Sequence, residues 1–218
     1  MRRSAGTAFI TGTSRGIGLA LAKILNSLGY TVFGISRTNV LKREGYSHIP
    51  LDLSDISAVC NFDFSRFKAV EDPVWFINNA GTLGNLNYFK KLTRDDIFTV
   101  INVNLTSAIL LTHNFLKCFG EEGKEHGVIF IGSGAAYHAI RGAGMYCVSK
   151  AAIHMFASSL HAEYGKNTYI FCISPGIVET EMQKQIRETS EIDFPDVEFY
   201  RKHFEEGKNK SPEEVAYK

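Results

Sequence analysis

The chain has 218 residues, of which 44% are hydrophobic and 22% are charged, a balance that suits one globular domain with a sizeable core. This composition excludes a disordered chain, a collagen and a coiled coil. The 24 Lys and Arg residues nearly balance the 23 Asp and Glu residues, so the net charge is only +1. Such a chain has no overall field to attract a polyanion, and we expect neither nucleic acid nor a membrane as its partner.

No apolar run approaches the roughly 20 residues that a membrane helix needs. The first apolar stretch turns polar at Thr11, before a signal-peptide core could form. We therefore expect a soluble, cytoplasmic protein. The four cysteines are far apart and predict free thiols, and the seven histidines show no spacing typical of metal ligands, so no metal site is predicted.

Short β-rich apolar runs alternate with segments of helical period along the chain. The predicted strands are 8–10, 31–35, 74–77, 128–131 and 169–173, and the predicted helices include 16–28, 95–119 and 146–164. This alternation predicts an α/β fold, a Rossmann-type doubly wound parallel sheet with helices on both faces. Because neither a repeat nor a linker interrupts the pattern, residues 1–218 are expected to form a single domain.

A glycine-rich turn from Thr11 to Gly18 joins the first predicted strand to the first predicted helix. Its glycines allow a sharp turn and a close approach to a pyrophosphate, whose charge the amide groups at the helix N-terminus would meet. The alternative is a merely structural turn. The predicted dinucleotide-binding residues of this loop are Gly12, Ser14, Arg15, Gly16, Ile17 and Gly18.

Charge near the second predicted strand distinguishes between the two nicotinamide dinucleotides. A site that prefers NAD places an Asp or Glu there for the ribose 2′-hydroxyl, but the chain has no acidic residue before Glu44. Ser36 and Arg37 occupy that position, and Arg15 precedes them in the glycine loop. Because guanidinium groups suit a 2′-phosphate, we predict NADP(H) as the cofactor. The alternative is that both arginines are solvated surface residues.

Tyr146 and Lys150 are four residues apart at the start of an amphipathic segment, which puts them on one face of a helix. A nearby cation lowers the pKa of a phenol, so we expect Tyr146 to donate a proton near neutral pH. Ser133 follows the strand 128–131, and the carboxyl ends of parallel strands line a ligand crevice. We expect its hydroxyl to hydrogen-bond a carbonyl oxygen beside Tyr146.

Together these landmarks resemble those of a short-chain dehydrogenase/reductase of the classical type. They occur in the family's order and spacing from residue 7 to about residue 182. They are Thr11 to Gly18, Asp52-Leu53, Asn78 to Gly81, Asn104-Leu105, Ser133, Tyr146 with Lys150, and Pro175-Gly176 followed by Val178 and Thr180.

The resemblance implies catalytic roles for four residues. Tyr146 would be the general acid/base, and Ser133 would polarise the substrate carbonyl. Lys150 would depress the pKa of the phenol and hold the nicotinamide ribose, while Asn104 would support a water that leads protons toward Lys150. The further cofactor-binding residues that it implies are Asp52, Leu53, Asn79, Ala80, Gly81, Pro175, Gly176, Val178 and Thr180.

Several of these residues also have structural alternatives. Asp52 would then be a turn acid, and Thr180 would be a helix N-cap. Asn79 and Asn104 would be buried amides that satisfy backbone groups.

A closer similarity, to the sepiapterin reductase and benzil reductase branch, rests above all on Ser174 to Gln183. It implies an NADPH-dependent carbonyl reductase for a ketone or dicarbonyl, either benzil-like or a pterin side chain. The alternatives are a 3-oxoacyl-thioester reductase and a non-enzymatic NADPH-binding sensor. The predicted substrate-wall residues are Ile140, Met145, Ile177, Met182, Phe199 and Tyr200.

The last part of the chain is more polar than the segment before it. Two short helices separated near Pro195 are predicted, as a substrate flap at about 178–205. The residues from Ser211 onward predict the start of a helix. Because few residues follow it, the chain is interpreted as a truncated product or fragment. Because related reductases continue beyond the position of Lys218, we expect the C-terminal strand to be missing.

The resemblance further implies a homodimer or homotetramer built across the helices 95–119 and 146–164. The apolar stripes of these helices do not by themselves establish it.

Overall fold

The computed structural model describes residues 5–67, 70–120, 125–165 and 168–218. Within these ranges six parallel strands form one sheet in the order β3-β2-β1-β4-β5-β6. The strands are β1 (Thr7–Thr11), β2 (Thr31–Ser36), β3 (Tyr46–Pro50), β4 (Val74–Asn78), β5 (His126–Ile131) and β6 (Tyr169–Ile173). The direction of the strand order reverses at β1, so β1 and β4 flank the switch point where such sheets bind ligands. The predicted Rossmann-type fold is confirmed.

Helices connect the strands and flank the sheet. They are α1 (Gly16–Ser27), α2 (Ile56–Cys60), α3 (Arg94–Ile101), α4 (Ser107–Phe119), α5 (Gly144–Tyr164), α6 (Glu181–Glu188), α7 (Val197–Glu205) and α8 (Pro212–Ala216). The helix predicted over 95–119 is present as α3 and α4, joined by one π-helical turn at Asn102–Thr106. Within the described ranges, no helix is long and apolar enough to cross a membrane.

Alternation along β1 divides the core between the two faces of the sheet. Phe9 packs on one face with Phe115 of α4, whereas Ala8 and Ile10 pack on the other face with Ala22 of α1. Successive side chains of a strand point to opposite faces, so a five-residue strand that is buried throughout needs helices on both sides. The two buried clusters place the carboxyl ends of β1 and β4 at a rigid edge.

The sequence analysis did not predict β3. This strand is at one edge of the sheet, contains His48 and Pro50, and has no fully buried residue, so it lacks the apolar run by which the other strands were recognised. At the opposite edge of the described sheet is β6.

The last third of the chain contains the predicted short helices. Those expected on either side of Pro195 are present as α6 and α7. The signal at Ser211 also leads into a helix, α8, whose capping box joins Ser211 and Glu214. That the segment 178–205 acts as a substrate flap stays a prediction.

Candidate active site

A crevice with a cavity volume of about 730 Å³ opens at the carboxyl ends of the strands. This volume is within the range of small-molecule and cofactor sites. The crevice brings together all the predicted site residues except Gly18 and Asn104. Those that line it are Gly12, Ser14, Arg15, Gly16, Ile17, Arg37, Asp52, Leu53, Asn79, Ala80, Gly81, Ser133, Tyr146, Lys150, Pro175, Gly176, Val178 and Thr180. Their roles in binding and catalysis stay predictions.

The glycine loop forms a cradle at the N-terminus of α1. Gly12 and Gly16 have φ angles of +77° and +56°, a region that favours glycine. A Cβ atom on Gly16 would lie 3.2 Å from Cγ2 of Thr180, so a side chain there would narrow the crevice. No side chain caps this end of α1. Its backbone amides therefore fit a pyrophosphate.

Gly18 does not line the crevice, which differs from its predicted place in the cofactor site. A Cβ atom at this position would overlap the carbonyl oxygen of Gly12 and the side-chain amide of Asn79. Gly18 therefore permits the close packing of α1 against the strand ends.

Asn79 ties the end of β4 to the end of β1. Its side-chain amide donates to the carbonyl oxygen of Thr11 at 2.8 Å, and its backbone amide donates to the hydroxyl of Thr11 at 3.0 Å. This contact agrees with the alternative that Asn79 is a buried amide whose side chain satisfies a backbone group. Because Asn79 also lines the crevice, the same residue shapes the wall of the glycine cradle.

Two exposed arginines line the crevice near the glycine loop, Arg15 before α1 and Arg37 after β2. Asp52 also lines the crevice and accepts hydrogen bonds from the backbone amide of Ser54 at 2.9 Å and from its hydroxyl at 2.7 Å. These bonds lower the pKa of Asp52, with a smaller contribution from the Arg37 guanidinium. Asp52 is therefore a turn acid as well as a crevice residue.

Ser133 and Tyr146 meet in the middle of the crevice. Ser133 is two residues beyond the end of β5. Its side-chain oxygen accepts a hydrogen bond from the Ala135 amide at 3.2 Å. Tyr146 is in the first turn of α5 and is partly buried. A hydrogen bond joins the two side chains. The pair thus presents two hydroxyl groups to one place, as the sequence analysis expected.

The pKa of Tyr146 is raised in this structure, chiefly because burial disfavours the phenolate, while the hydrogen bond with Ser133 acts in the opposite direction. The prediction that Lys150 lowers this pKa is therefore wrong here. The Lys150 ammonium is 5.7 Å from the centroid of the Tyr146 ring and donates to the carbonyl oxygen of Ile131 at 2.8 Å. Burial outweighs a cation at that position.

Lys150 is itself strongly affected by burial. Its side chain is held inside the protein without a carboxylate partner among the described residues, and burial lowers its pKa from 10.5 to about 8, against a small opposing effect of Cys172. Since the unfolded chain then binds more protons between these two values, the free energy of unfolding rises with pH across this window.

We expect this dependence to disappear in Lys150→Met. Between about pH 7.5 and about pH 9.5, the wild type should gain about 2 kcal/mol in free energy of unfolding relative to the variant, because it no longer has to bury a charge. Urea unfolding of both proteins at the two pH values measures this difference. If the free energy of unfolding has the same pH dependence in both proteins, burial does not disfavour the charged form of Lys150.

Asn104 is in the π-helical turn between α3 and α4, outside the crevice wall and buried. Its side chain donates to the carbonyl oxygen of Thr82 at 2.9 Å and to the hydroxyl of Ser149 at 3.0 Å, and accepts from the Thr82 amide at 2.8 Å. A Cβ atom on Gly81 would lie 3.5 Å from the Asn104 amide oxygen and 3.7 Å from the Lys150 amine. Asn104 is therefore near Lys150, and its link to a water stays a prediction.

Most of the chain matches a known protein family. The pattern of a family described as short chain dehydrogenase matches residues 6–191. The chain belongs to the short-chain dehydrogenase family. Members of this family are oxidoreductases that bind NAD(P).

Individual relatives support the predicted branch within the family. A benzil reductase ((S)-benzoin forming) of Bacillus cereus is 36% identical over 95% of this chain and 89% of its own. A sepiapterin reductase of Bos taurus is 30% identical over 92% of this chain and 81% of its own. A 3-oxoacyl-[acyl-carrier-protein] reductase of Buchnera aphidicola is 31% identical over 83% of this chain and 76% of its own.

A solved structure agrees with the fold. The crystal structure of a short-chain dehydrogenase/reductase from Saccharomyces cerevisiae has a TM-score of 0.85 and covers 95% of this chain, with 85% of its own length matched. The sequence identity is 24%, so this likeness bears on the fold alone.

In this short-chain dehydrogenase, backbone hydrogen bonds with Lys210 hold the segment that carries Val178 and Thr180. The backbone amide of Glu179 donates to the carbonyl oxygen of Lys210 at 2.8 Å, and the Lys210 amide donates to the carbonyl oxygen of Ile177 at 3.1 Å. Thr180 is at the N-cap position of α6, yet its side chain makes no capping hydrogen bond. Thr180 is thus the N-cap of α6 through its backbone, and its hydroxyl is left without a capping bond at the crevice wall.

The substrate end of the crevice is apolar. Of the six predicted wall residues, Met145 does not line it, because adjacent helical residues point about 100° apart and Tyr146 takes the inward direction. The five that do are Ile140, Ile177, Met182, Phe199 and Tyr200. The sequence analysis missed Leu83, Leu86, Ile186 and Phe194, which also line it and belong to one buried cluster. Leu83 and Leu86 are in a loop, where no periodicity marks them.

Proposed function

We propose that this short-chain dehydrogenase is an NADPH-dependent carbonyl reductase for a ketone or dicarbonyl, with Tyr146 as its general acid. The observation that supports it most is the meeting of Ser133, Tyr146 and Lys150 in one crevice that continues to Arg15 and Arg37. A catalytic centre and a cationic end for a 2′-phosphate therefore share one cavity.

The residues of the crevice fit this cofactor. The glycine cradle has room for a pyrophosphate only because Gly12 and Gly16 carry no side chains, and Arg15 and Arg37 match the charge of a 2′-phosphate. Lys150 would hold the nicotinamide ribose. When bound, NADPH supplies the hydride for the reduction.

Reduction of a carbonyl to an alcohol also needs a proton at the oxygen, and the protein has to deliver it. The Ser133 hydroxyl would donate a hydrogen bond to the substrate oxygen, which orients and polarises the carbonyl. Tyr146 would then transfer its phenolic proton to that oxygen as the carbon is reduced. The raised pKa of Tyr146 keeps the phenol protonated, so the donor is loaded before each turnover.

Lys150 and Ser133 would stabilise the phenolate that this transfer leaves behind. The Lys150 amine is 5.7 Å from the Tyr146 ring, and its charge gains importance once the ring oxygen becomes negative. This interaction contributes mainly after the proton leaves.

The similarity to the benzil reductase of Bacillus cereus favours a dicarbonyl substrate. The similarity to a 3-oxoacyl-[acyl-carrier-protein] reductase keeps an acyl thioester as the second candidate. A homodimer or homotetramer across α3, α4 and α5 stays part of the proposal, and size-exclusion chromatography would test it.

An NADPH-consumption assay over a diketone, a pterin ketone and a 3-oxoacyl thioester tests the proposed function, with NADH as the control cofactor. We expect turnover of benzil with NADPH that exceeds turnover of the thioester. Faster thioester reduction would favour the second candidate. Tight NADPH binding without turnover of any of the three would instead favour a sensor.

A further inference from the structure

Tyr200 brings a second phenol into the substrate end of the crevice. It is in α7, lines the cavity, and packs in the same cluster as Tyr146, Ile140 and Met182. Its ring centroid is 5.7 Å from that of Phe194, which is almost fully buried. Tyr200 and Tyr146 are close enough to interact electrostatically.

The hydroxyl of Tyr200 makes no hydrogen bond to another described residue, and the side chain lines the cavity. Burial of the side chain raises the pKa of Tyr200, so its oxygen keeps its proton at neutral pH. Partly buried phenols usually find a polar partner. Tyr200 therefore offers a protonated hydroxyl at the crevice wall that is free to bind a ligand.

The helix that carries Tyr200 is anchored at its N-terminal end. Val197 is fully buried, and the preceding segment is joined to the rest of the chain by two ion pairs, Arg141 with Asp196 at 2.5 Å and Lys91 with Asp193 at 2.8 Å. These contacts hold the N-terminal end of α7 in place. They thereby reduce the conformational entropy that the Tyr200 side chain loses when a ligand binds.

The same anchor adjoins the catalytic helix. Gly142, with a φ of +78°, approaches Asp193 so closely that a Cβ atom would overlap the Asp193 carbonyl oxygen. Gly142 is two residues before α5, which carries Tyr146, and Asp193 is four residues before α7, which carries Tyr200, so the segments that lead into the two helices are in direct contact.

We propose that the Tyr200 hydroxyl binds the second carbonyl oxygen of a vicinal dicarbonyl, while Ser133 and Tyr146 bind the carbonyl that is reduced. This inference rests on the proposed function and makes it more specific. A vicinal dicarbonyl has two acceptor oxygens on adjacent carbons, whereas a simple ketone has one. Tyr200 is thus a specificity-determining residue and takes no part in proton transfer.

The comparison of benzil with deoxybenzoin tests this assignment, because deoxybenzoin keeps both phenyl rings and lacks only the second carbonyl oxygen. In Tyr200→Phe, the ratio of kcat/KM for benzil to kcat/KM for deoxybenzoin is expected to fall about threefold to tenfold, the worth of one neutral hydrogen bond. The ring remains, so the apolar wall is retained. Tyr169→Phe removes a phenolic oxygen from the half-exposed edge strand β6 and is the matched control.

Calorimetric titration of benzil into the NADP⁺ complex gives a second readout that involves no turnover. The affinity of Tyr200→Phe for benzil should fall by a factor similar to that of the kinetic ratio, and NADP⁺ binding reports whether the variant is folded. If the wild type reduces benzil and the variant keeps both the ratio and the affinity, the assignment to Tyr200 is wrong and the proposed function stands. If the wild type reduces the pterin ketone with NADPH but not benzil, only the assignment to Tyr200 is wrong; if it reduces neither, the proposed function is wrong as well.

Discussion

Tyr146→Phe is expected to reduce kcat for carbonyl reduction about 10²–10⁴-fold, the usual contribution of general acid catalysis. The substitution removes a single oxygen and leaves the ring in its cluster with Ile140 and Met182. Single-turnover measurements with saturating NADPH would show the loss in the chemical step itself. NADPH affinity, measured by fluorescence, should change little because the glycine cradle is untouched.

The size of this effect depends on how poorly the neighbouring donors replace the Tyr146 phenol, since the Tyr200 hydroxyl is assigned to the second carbonyl oxygen of the substrate. The Lys150 ammonium is occupied by the Ile131 carbonyl at 2.8 Å. Ser133 is too weak an acid to replace a phenol, and its oxygen already accepts from the Ala135 amide. A variant as fast as the wild type would remove the Tyr146 phenol from the mechanism and leave the proton to another source.

Arg37→Asp is expected to reduce the preference for NADPH over NADH by about 10²-fold or more. The loss of charge-assisted hydrogen bonds to a 2′-phosphate costs about 1.5–3 kcal/mol, and the introduced carboxylate repels that phosphate. The same carboxylate suits the ribose 2′-hydroxyl of NADH, so part of the change should be a gain with NADH. The measurement is kcat/KM for each cofactor with one carbonyl substrate.

Arg43→Asp is the matched control, because Arg43 is exposed and outside the crevice wall, yet the change in net charge is the same. A similar shift in both variants would indicate only a general effect of charge. An unchanged cofactor preference in Arg37→Asp would favour the alternative that Arg15 and Arg37 are solvated surface residues.

The residues whose placement was predicted well are those in short, chemically distinctive segments. The glycine loop, the strand-end position of Ser133 and the four-residue spacing of Tyr146 and Lys150 depend on local backbone geometry, which a sequence pattern reports directly. The fold class followed from the alternation of strands and helices for the same reason. Edge strand β3 was missed because its side chains are half-exposed and carry no apolar signal.

The surroundings of a side chain were much harder to predict from the sequence than its place in the fold. From the sequence, a lysine beside a tyrosine implies a lowered phenol pKa, but in the folded chain burial dominates and raises it. Met145 differs from Tyr146 by one position, and only the orientation of α5 decides which of them enters the crevice. Leu83 and Phe194 are more than a hundred residues apart, yet they form one apolar wall.

The sequence by itself determined the fold class, the family and most of the residues that meet at the strand ends, because these depend on local patterns of glycine, charge and hydrophobic period. Only the tertiary structure decided how far each group is removed from water, which sets the pKa values of Tyr146 and Lys150. It alone also brought Tyr200 and Tyr146 into one crevice, since the segment before α7 packs against the distant loop before α5.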